Sequence, residues 1–90
     1  MSPLELEVIP RAVSVRCTEH ELIVSLSDGR ILSVPLAWFP RLAHAAPKDR
    51  GSYELLGEGD GIHWPAVDED ISVTALLAGR PSFEYRSMHA

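Results

Sequence analysis

An Asp28-Gly29 pair between two apolar segments is the feature that most restricts how this chain can fold. Before this pair, apolar residues recur at every second position, and they are Val13, Val15, Cys17, Leu22, Val24 and Leu26. This period of two is typical of half-buried strands, and Glu19-His20 interrupts it with a turn. Asp-Gly favours a tight hairpin because a type I′ turn needs positive φ at both central positions. Residues 13–35 are therefore predicted to form a three-stranded antiparallel meander.

The register of this meander follows if the Asp-Gly pair forms a two-residue turn. Cys17 should then face Leu22, and Val15 should face Val24. One face of the sheet would carry the apolar side chains of Val13, Val15, Cys17, Leu22, Val24, Leu26 and Ile31. The opposite face is mixed and includes Ile23, Leu32 and Val34.

A short helix and two more strands are predicted to follow the meander. The helix begins near Pro40 and ends at Pro47, and its apolar face consists of Phe39, Leu42, Ala43 and Ala46. Residues 48–51 are expected to form a polar connection. Residues 53–56 and 62–64 are predicted strands, and the glycine-rich segment 57–61 joins them as a turn.

A second helix is predicted to begin near Ser72, a good N-cap residue, and to end at Gly79. The acidic residues 68–70 are expected to lie in a loop just before this helix, where they complement its positive end. Residues 80–90 have no clear period and are expected to form a mobile tail.

These elements predict a two-layer α+β domain. Its mainly antiparallel sheet contains the three-stranded meander and one or two further strands, packed with one or two short helices. Residues 1–90 are expected to form a single domain with a core at about residues 12–79.

Charge and cysteine content restrict the classes of partner and compartment. Thirteen acidic and eight basic residues give a formal net charge of −5. A negative surface repels phosphate groups and anionic lipid, so we expect neither direct nucleic-acid binding nor membrane binding. Cys17 is the only cysteine, which excludes an internal disulfide and favours the cytoplasm. The start of the sequence lacks the positive segment of a signal peptide.

The sequence assigns no catalytic and no cofactor-binding residue. Nucleophilic catalysis needs a Ser, Cys or Thr with a base in reach. Cys17 lies on the predicted core face, and Ser72 is used as a cap. The four histidines are scattered over a turn, a helix, a strand and the tail.

His63 and the consecutive carboxylates Asp68, Glu69 and Asp70 allow three interpretations. Imidazole and carboxylates are ordinary metal ligands, but the spacing matches no helical metal motif, and no metal ligand is assigned. The favoured interpretation is the capping or solvated loop described above. In the third interpretation, the carboxylates accept hydrogen bonds from Arg or Lys of another protein.

Two aromatic motifs, around Trp38 and Trp64, suggest a partner-binding patch. Trp and Arg are over-represented among residues that dominate binding energy. Trp38, Arg41, His63 and Trp64 are therefore candidate partner-binding residues, together with the acidic residues Asp68, Glu69 and Asp70. The alternative is that each Trp ring anchors the core.

Three motifs follow one another along the chain. They are Ser-Asp-Gly-Arg at 27–30, Val-Pro-Leu-Ala-Trp-Phe-Pro-Arg-Leu at 34–42, and 61–72 with Leu76-Leu77 after it. In order and interval they resemble the bacterial family domain of unknown function 2442. The resemblance implies a small α+β domain and no established catalytic residues. It also implies a gene neighbour from the family domain of unknown function 4160, in an arrangement similar to toxin–antitoxin pairs.

Three functional hypotheses remain. The first is a non-enzymatic module that binds or neutralises another protein, as an antitoxin does, with a domain of unknown function 4160 protein as the candidate partner. The second is an accessory or sensing subunit of a transcriptional regulator. The third is a metal-dependent enzyme that uses His63 and residues 68–70. A homodimer is also expected, since a small sheet with an open edge can pair with its copy.

Overall fold

Two three-stranded antiparallel sheets form the framework of the protein in a computed structural model that describes residues 9–89. The first sheet has the order β1-β2-β3 and consists of Ala12–Cys17, Glu21–Leu26 and Ile31–Pro35. The second has the order β4-β5-β6 and consists of Glu54–Leu56, Gly61–Trp64 and Glu69–Ser72. The α+β class is confirmed. The expectations for residues 1–8 and for Ala90 lie outside the described residues.

Short helices connect and flank the strands. The α-helices are α1 Pro40–Ala43, α2 Pro47–Arg50, α3 Val73–Leu77 and α4 Phe83–His89, and single 3-10 turns cover Leu36–Trp38 and Pro65–Val67. Among residues 9–89, none of the helices has the length and apolarity that crossing a bilayer requires.

The hairpin between β2 and β3 exists, but its turn is one residue longer than predicted. The N–H of Leu26 donates to the carbonyl of Arg30 at 2.9 Å, and the N–H of Gly29 donates to the carbonyl of Leu26 at 3.0 Å. Gly29 has φ of +94°, whereas Asp28 keeps a negative φ. The three-residue loop is therefore a type I turn followed by a glycine bulge, not a type I′ turn.

This extra residue changes which face of β3 is buried. The predicted pairs of Cys17 with Leu22 and Val15 with Val24 are confirmed. In β3, however, Val34 is opposite Leu22 and is buried. The expectation that Val13 and Ile31 share the core face is wrong, and their exposed fractions are 59% and 70%. A one-residue shift reverses every side chain of a strand, and an irregularity between Ala12 and Ser14 in β1 places Ala12 in the core instead of Val13.

One hydrophobic core joins both sheets. Its buried members are Ala12, Leu22, Val24, Leu26, Val34, Leu36, Phe39, Leu42, Ile62, Trp64, Ile71, Val73 and Leu76. The indole of Trp64 is fully buried, and its Nε1–H donates to the carbonyl of Arg50 at 3.0 Å. Tyr53 lies beside it with a ring-centroid distance of 6.4 Å, and the Tyr53 hydroxyl accepts the N–H of Val15 at 3.1 Å. These contacts fix β4 and β5 against β1.

The acidic segment that was expected as a loop is strand β6. Asp68 turns the chain in the left-handed conformation with φ of 50° and ψ of 47°, and β6 then pairs with β5. Within β6, Glu69 and Ile71 are buried, whereas Asp70 and Ser72 are exposed. Buried and exposed positions alternate along this strand, but the three adjacent carboxylates hide this alternation in the sequence. The predicted cap is confirmed, since Ser72 Oγ accepts the N–H of Ala75 at 3.0 Å.

Two further segments contain helices that were not predicted. Residues 48–51 are not a simple connection, because Pro47 begins helix α2 rather than only ending the helix before it. The segment that was expected to be a mobile tail contains helix α4, which begins at Phe83, and its mobility stays a prediction. Ser82 supplies its first turn with a hydrogen bond, since Ser82 Oγ accepts the N–H of Tyr85 at 3.1 Å. Glu84 then lies in the positive first turn of α4.

The turn between β4 and β5 supports a testable prediction at Gly59. Its φ is +104°, and an added Cβ would lie 2.4 Å from the carbonyl oxygen of Ala12. Gly59→Ala should therefore lower the free energy of unfolding by at least about 2 kcal/mol, measured by urea denaturation. Gly51→Ala is the control, because Gly51 has φ of −83° and its added Cβ would approach no atom closer than 3.7 Å. Equal stability of the two variants would contradict this packing.

Candidate binding groove

A groove of about 610 Å³ runs along β6. One side is formed by the strand itself, from Asp68 to Ser72, and the other by the segment that leads into α4, from Arg80 to Glu84. Arg41 of α1 and the strand residue Leu56 also contribute to its surface. We call this feature the β6 groove.

Glu69 is the most unusual residue of the β6 groove. The residue is only 7% exposed, and it is the only charged or polar member of the buried set among residues 9–89. Its Oε1 is inaccessible to solvent and has no hydrogen-bond partner within the described part of the chain. Buried polar atoms are nearly always hydrogen-bonded, and a carboxylate without a partner destabilises a fold. This atom therefore needs a functional or structural explanation.

The surroundings of Glu69 favour its protonated form. Burial raises the pKa of its carboxyl above the ordinary value of 4.5, and the negative charge of Glu84 raises it further. The guanidinium of Arg41 lowers this pKa, Asp70 raises it through its charge, and the N–H of Asp70 lowers it.

Arg41 holds two walls of the groove together. Its Nε donates to Oε2 of Glu84 at 2.9 Å, and its Nη1 donates to the carbonyl of Asp68 at 2.8 Å. The hydrogen bond and charge of Glu84 raise the pKa of Arg41, so the guanidinium is permanently charged. Its donors are directed to Glu84 and to Asp68, and it makes no hydrogen bond to Oε1 of Glu69.

The wall that leads into α4 is anchored through the backbone of Trp38. Ser82 Oγ donates to the carbonyl of Trp38 at 2.6 Å, and the N–H of Ser82 donates to the same carbonyl at 3.1 Å. Phe83 follows directly and is 75% exposed at the groove. A fixed polar anchor thus holds an exposed aromatic ring beside an acidic surface.

The charge of the groove is predominantly negative. Its carboxylates are those of Asp68, Glu69, Asp70 and Glu84, and its guanidinium groups are those of Arg41 and Arg80. Four negative groups against two positive groups leave a formal excess of two negative charges. The apolar side chains of Leu56 and Phe83, both exposed, lie among these groups. Such a surface is complementary to a ligand that is basic and partly apolar.

The structure brings together four of the seven candidate residues. Arg41, Asp68, Glu69 and Asp70 line the groove, whereas Trp38 reaches it only through its backbone hydrogen bonds and keeps its ring half-buried. The structure thus shows where these candidate residues lie, and partner binding itself stays a prediction.

The predicted exposed patch around Trp64 is wrong. Trp64 is fully buried and anchors the core, which was the alternative interpretation. His63 lies opposite Asp70 in the sheet, and its Nδ1 is hydrogen-bonded to the Asp70 carboxylate. Residues 61–64 alternate between the two faces of the sheet, so adjacent His63 and Trp64 cannot share one surface.

The sequence did not indicate the residues of the second wall. Glu84 and Phe83 belong to the segment that was expected to form a mobile tail. The available signal was Ser82 after Pro81 with an acidic residue in the next turn, a common helix start. The segment is too short for a helical spacing of apolar residues to be recognised in it.

Neither metal binding nor nucleophilic catalysis is supported by a cluster of side chains in residues 9–89. This part of the chain contains no group of three or more His, Cys, Asp or Glu side chains that could hold a metal ion. Cys17 is half-buried beside Arg50 in a separate cavity of about 300 Å³. Burial raises the pKa of its thiol, and the charge of Arg50 lowers it by less. The thiolate, which is the nucleophilic form, is therefore disfavoured.

Comparison with known proteins agrees with the resemblance drawn from the sequence motifs. The model of a family described as "Protein of unknown function (DUF2442)" matches residues 12–82. A crystal structure of a protein of unknown function from Rhodospirillum rubrum is 30% identical, with a TM-score of 0.74, over 86% of this chain and 95% of that one. No functionally curated protein matches the chain.

A solution NMR structure of an uncharacterized protein from Chromobacterium violaceum is also similar. It is 26% identical to this chain and has a TM-score of 0.72. The match covers 96% of this chain and 81% of that one. Both relatives share the fold, and neither is assigned a ligand or an activity by its description.

Glu69→Gln tests whether the buried carboxylate destabilises the fold. Because the pKa of Glu69 is raised in the folded state, ionisation of this group lowers stability as pH rises from the ordinary carboxyl pKa through the raised value. The neutral amide avoids this cost, so we expect Glu69→Gln to raise the free energy of unfolding at neutral pH by about 1 kcal/mol. The gain should disappear at acidic pH, where Glu69 is protonated in both states.

Urea denaturation at neutral and acidic pH measures this difference. Glu19→Gln is the matched control, because Glu19 is exposed in the turn between β1 and β2, and its effect should be small at both pH values. A Glu69→Gln variant less stable than the native protein at neutral pH would show that the carboxylate stabilises the fold.

Proposed function

Because this chain belongs to the DUF2442 family of proteins of unknown function, its role has to be inferred from its own surface, and we propose that it is a non-enzymatic protein-interaction module. In this proposal the β6 groove accepts a basic side chain of a partner protein. The single observation that carries the proposal is the buried carboxyl group of Glu69, a residue of the groove lining, whose Oε1 has no hydrogen-bond partner among the described residues.

A guanidinium or ammonium group supplies what Glu69 lacks. Hydrogen bonds between ionised groups are roughly twice as strong as neutral ones, and they are strongest where water is excluded. A basic side chain would also offset the repulsion of Glu69 by Glu84, which raises the pKa of Glu69 in the free protein. Binding would thus relieve a local cost that the fold carries without the partner.

The charge of the whole molecule supports a basic protein as partner. A net charge of −5 and the acidic excess of the groove increase the rate of encounter with a basic surface. The same charges oppose the approach of phosphate groups, whether of nucleic acid or of anionic lipid. An anionic substrate is disfavoured for the same reason.

A non-enzymatic role is supported by how the ionisable groups of the site are used. Arg41 is engaged by Glu84 and Asp68, and His63 is engaged by Asp70. Within residues 9–89, these hydrogen bonds connect neither pair to a hydroxyl or thiol nucleophile, which nucleophilic catalysis by a side chain requires. The groove offers recognition groups rather than a reaction centre.

The specific form that we propose is neutralisation of a basic protein in the cytoplasm, as an antitoxin does. A protein of the family domain of unknown function 4160 is the first partner to examine. The free thiol of Cys17 is compatible with a reducing compartment. Homodimerisation remains a prediction, for which the outer edge of β3 with exposed Ile31 is the surface to test.

Affinity purification with the tagged chain tests the proposal. Bait proteins carrying the native sequence, Glu69→Gln or Glu19→Gln are incubated with lysate of the source organism, and retained proteins are quantified by mass spectrometry. We expect one basic protein to be retained at equal stoichiometry by the native and Glu19→Gln baits. Glu69→Gln should retain it at least about tenfold less, because loss of one partner of a buried charge pair typically costs 2 kcal/mol or more.

Two results would refute this function. In one, no protein is retained specifically by the native bait. In the other, the same protein is retained equally by native and Glu69→Gln baits, which would separate binding from the groove. Circular dichroism of each bait confirms that the variants keep the fold.

A further inference from the structure

The open edge of β6 determines the shape of ligand that the groove can accept. In the order β4-β5-β6, strand β6 pairs on one side only among residues 9–89. Residues 68–72 line the groove without interruption, and Gly61 of β5 and Leu56 of β4 line it as well, so the groove crosses one face of the sheet and reaches the unpaired edge of β6. An unpaired edge offers backbone N–H and C=O groups to another strand.

The hydrogen-bond pattern shows which backbone groups point into the groove. The N–H of Val73 donates to the carbonyl of Asp60 at 3.0 Å, and these residues extend the register in which Gly61 is opposite Ser72. Antiparallel pairs alternate between hydrogen-bonded and non-hydrogen-bonded positions. Ile71 and Glu69 therefore bond to β5, whereas the backbone groups of Asp70 and Ser72 point away from it.

Three of these outward groups are available to a ligand. They are the N–H and C=O of Asp70 and the N–H of Ser72, none of which has a hydrogen bond outside the sheet among residues 9–89. The carbonyl of Ser72 begins helix α3, as expected for an N-cap residue. The preceding outward carbonyl, that of Asp68, already accepts Nη1 of Arg41 at 2.8 Å. The free edge thus extends over about two residues of one side of β6.

The buried carboxylate lies next to this free edge. Glu69 immediately precedes Asp70, whose backbone groups point away from β5. A strand that pairs with β6 would therefore pass directly beside Glu69. Side chains alternate along a strand at about 3.3 Å per residue, so one ligand side chain would reach Glu69 while its neighbours project to the opposite face near Ser72.

We propose that the β6 groove binds an extended, basic segment of the partner protein, which adds to β6 as a fourth strand of the second sheet. One basic side chain of this segment contacts Glu69, and an apolar side chain beside it contacts Phe83. The proposal rests on the proposed function and specifies the conformation and chemistry of the ligand. Recognition of this type draws affinity from the main chain and specificity from alternate side chains.

The charge and the free backbone groups of the groove favour an extended basic segment over an acidic segment or a helix. The groove carries four carboxylates and two guanidinium groups, so an acidic segment would be repelled. A helix would satisfy its own backbone groups and would leave the three outward groups of Asp70 and Ser72 unused. An extended basic segment satisfies both the edge and the carboxylate.

A peptide-display selection provides a defined ligand. Eight-residue peptides with one fixed central arginine and random flanking residues are selected on the native protein alone. The selected peptide is synthesised, and a second version carries citrulline, which is neutral and nearly isosteric, in place of the arginine. We expect the citrulline peptide and the Glu69→Gln variant each to weaken binding about tenfold or more, and Glu19→Gln to leave it unchanged.

Hydrogen exchange measured by NMR reports the geometry of binding. Strand addition should slow exchange of the Asp70 and Ser72 amides about tenfold or more when the selected peptide is saturating. The amides of Glu69 and Ile71 are already bonded to β5, so they should change much less. Alternating protection along β6 is the signature that distinguishes an added strand from other ligands.

The outcomes separate this inference from the proposed function. Peptide binding that requires Glu69 but leaves the Asp70 and Ser72 amides unprotected would overturn strand addition and leave the proposed function intact. The same conclusion would follow if no peptide were selected while the partner from the lysate still required Glu69. Selected peptides that bind native and Glu69→Gln proteins equally would overturn the inference, and the affinity purification would then decide the proposed function.

Discussion

Burial of the Trp64 indole is the interaction on which the rest of the structure depends. The ring is inaccessible to solvent, packs near Tyr53 and donates to the backbone of Arg50. Because Tyr53 in turn accepts the N–H of Val15, a single aromatic cluster joins the second sheet to the edge of the first. Each sheet has only three short strands, and it buries its apolar face in the core that it shares with the other sheet. Their shared core covers one edge of the first sheet and leaves β6 at the outer edge of the second.

The β6 groove contains a buried carboxylate, although the rest of the core is apolar. The thirteen buried residues of the core are all apolar, whereas Glu69 places a carboxylate on the buried side of β6. An apolar residue there would remove the cost of a buried charge. Departures of this kind in otherwise consistent folds tend to mark functional sites. The open edge of β6 and the exposed ring of Phe83 lie in the same groove as Glu69 and offer further groups for contact with a ligand.

The limits of sequence reasoning are clearest at two places. At the first hairpin, Asp-Gly correctly indicated a turn, but the choice between two and three loop residues depends on packing, and that choice exchanged Ile31 for Val34 in the core. At residues 68–70, local charge suggested a solvated loop. The pairing of β6 with β5 overrode this preference, because backbone hydrogen bonds and the burial of Ile71 are long-range contributions.

The sequence by itself determined the α+β class, the three-stranded meander, the Ser72 cap and the acidic character of the surface. These depend on local periodicity, turn chemistry and total charge, which can be read without knowing the contacts. Only the tertiary structure decided that Trp64 is buried, that Glu84 meets Arg41, and that Glu69 lies beside an open strand edge. Those relations join residues far apart in the chain, and they exist only once both sheets share one core.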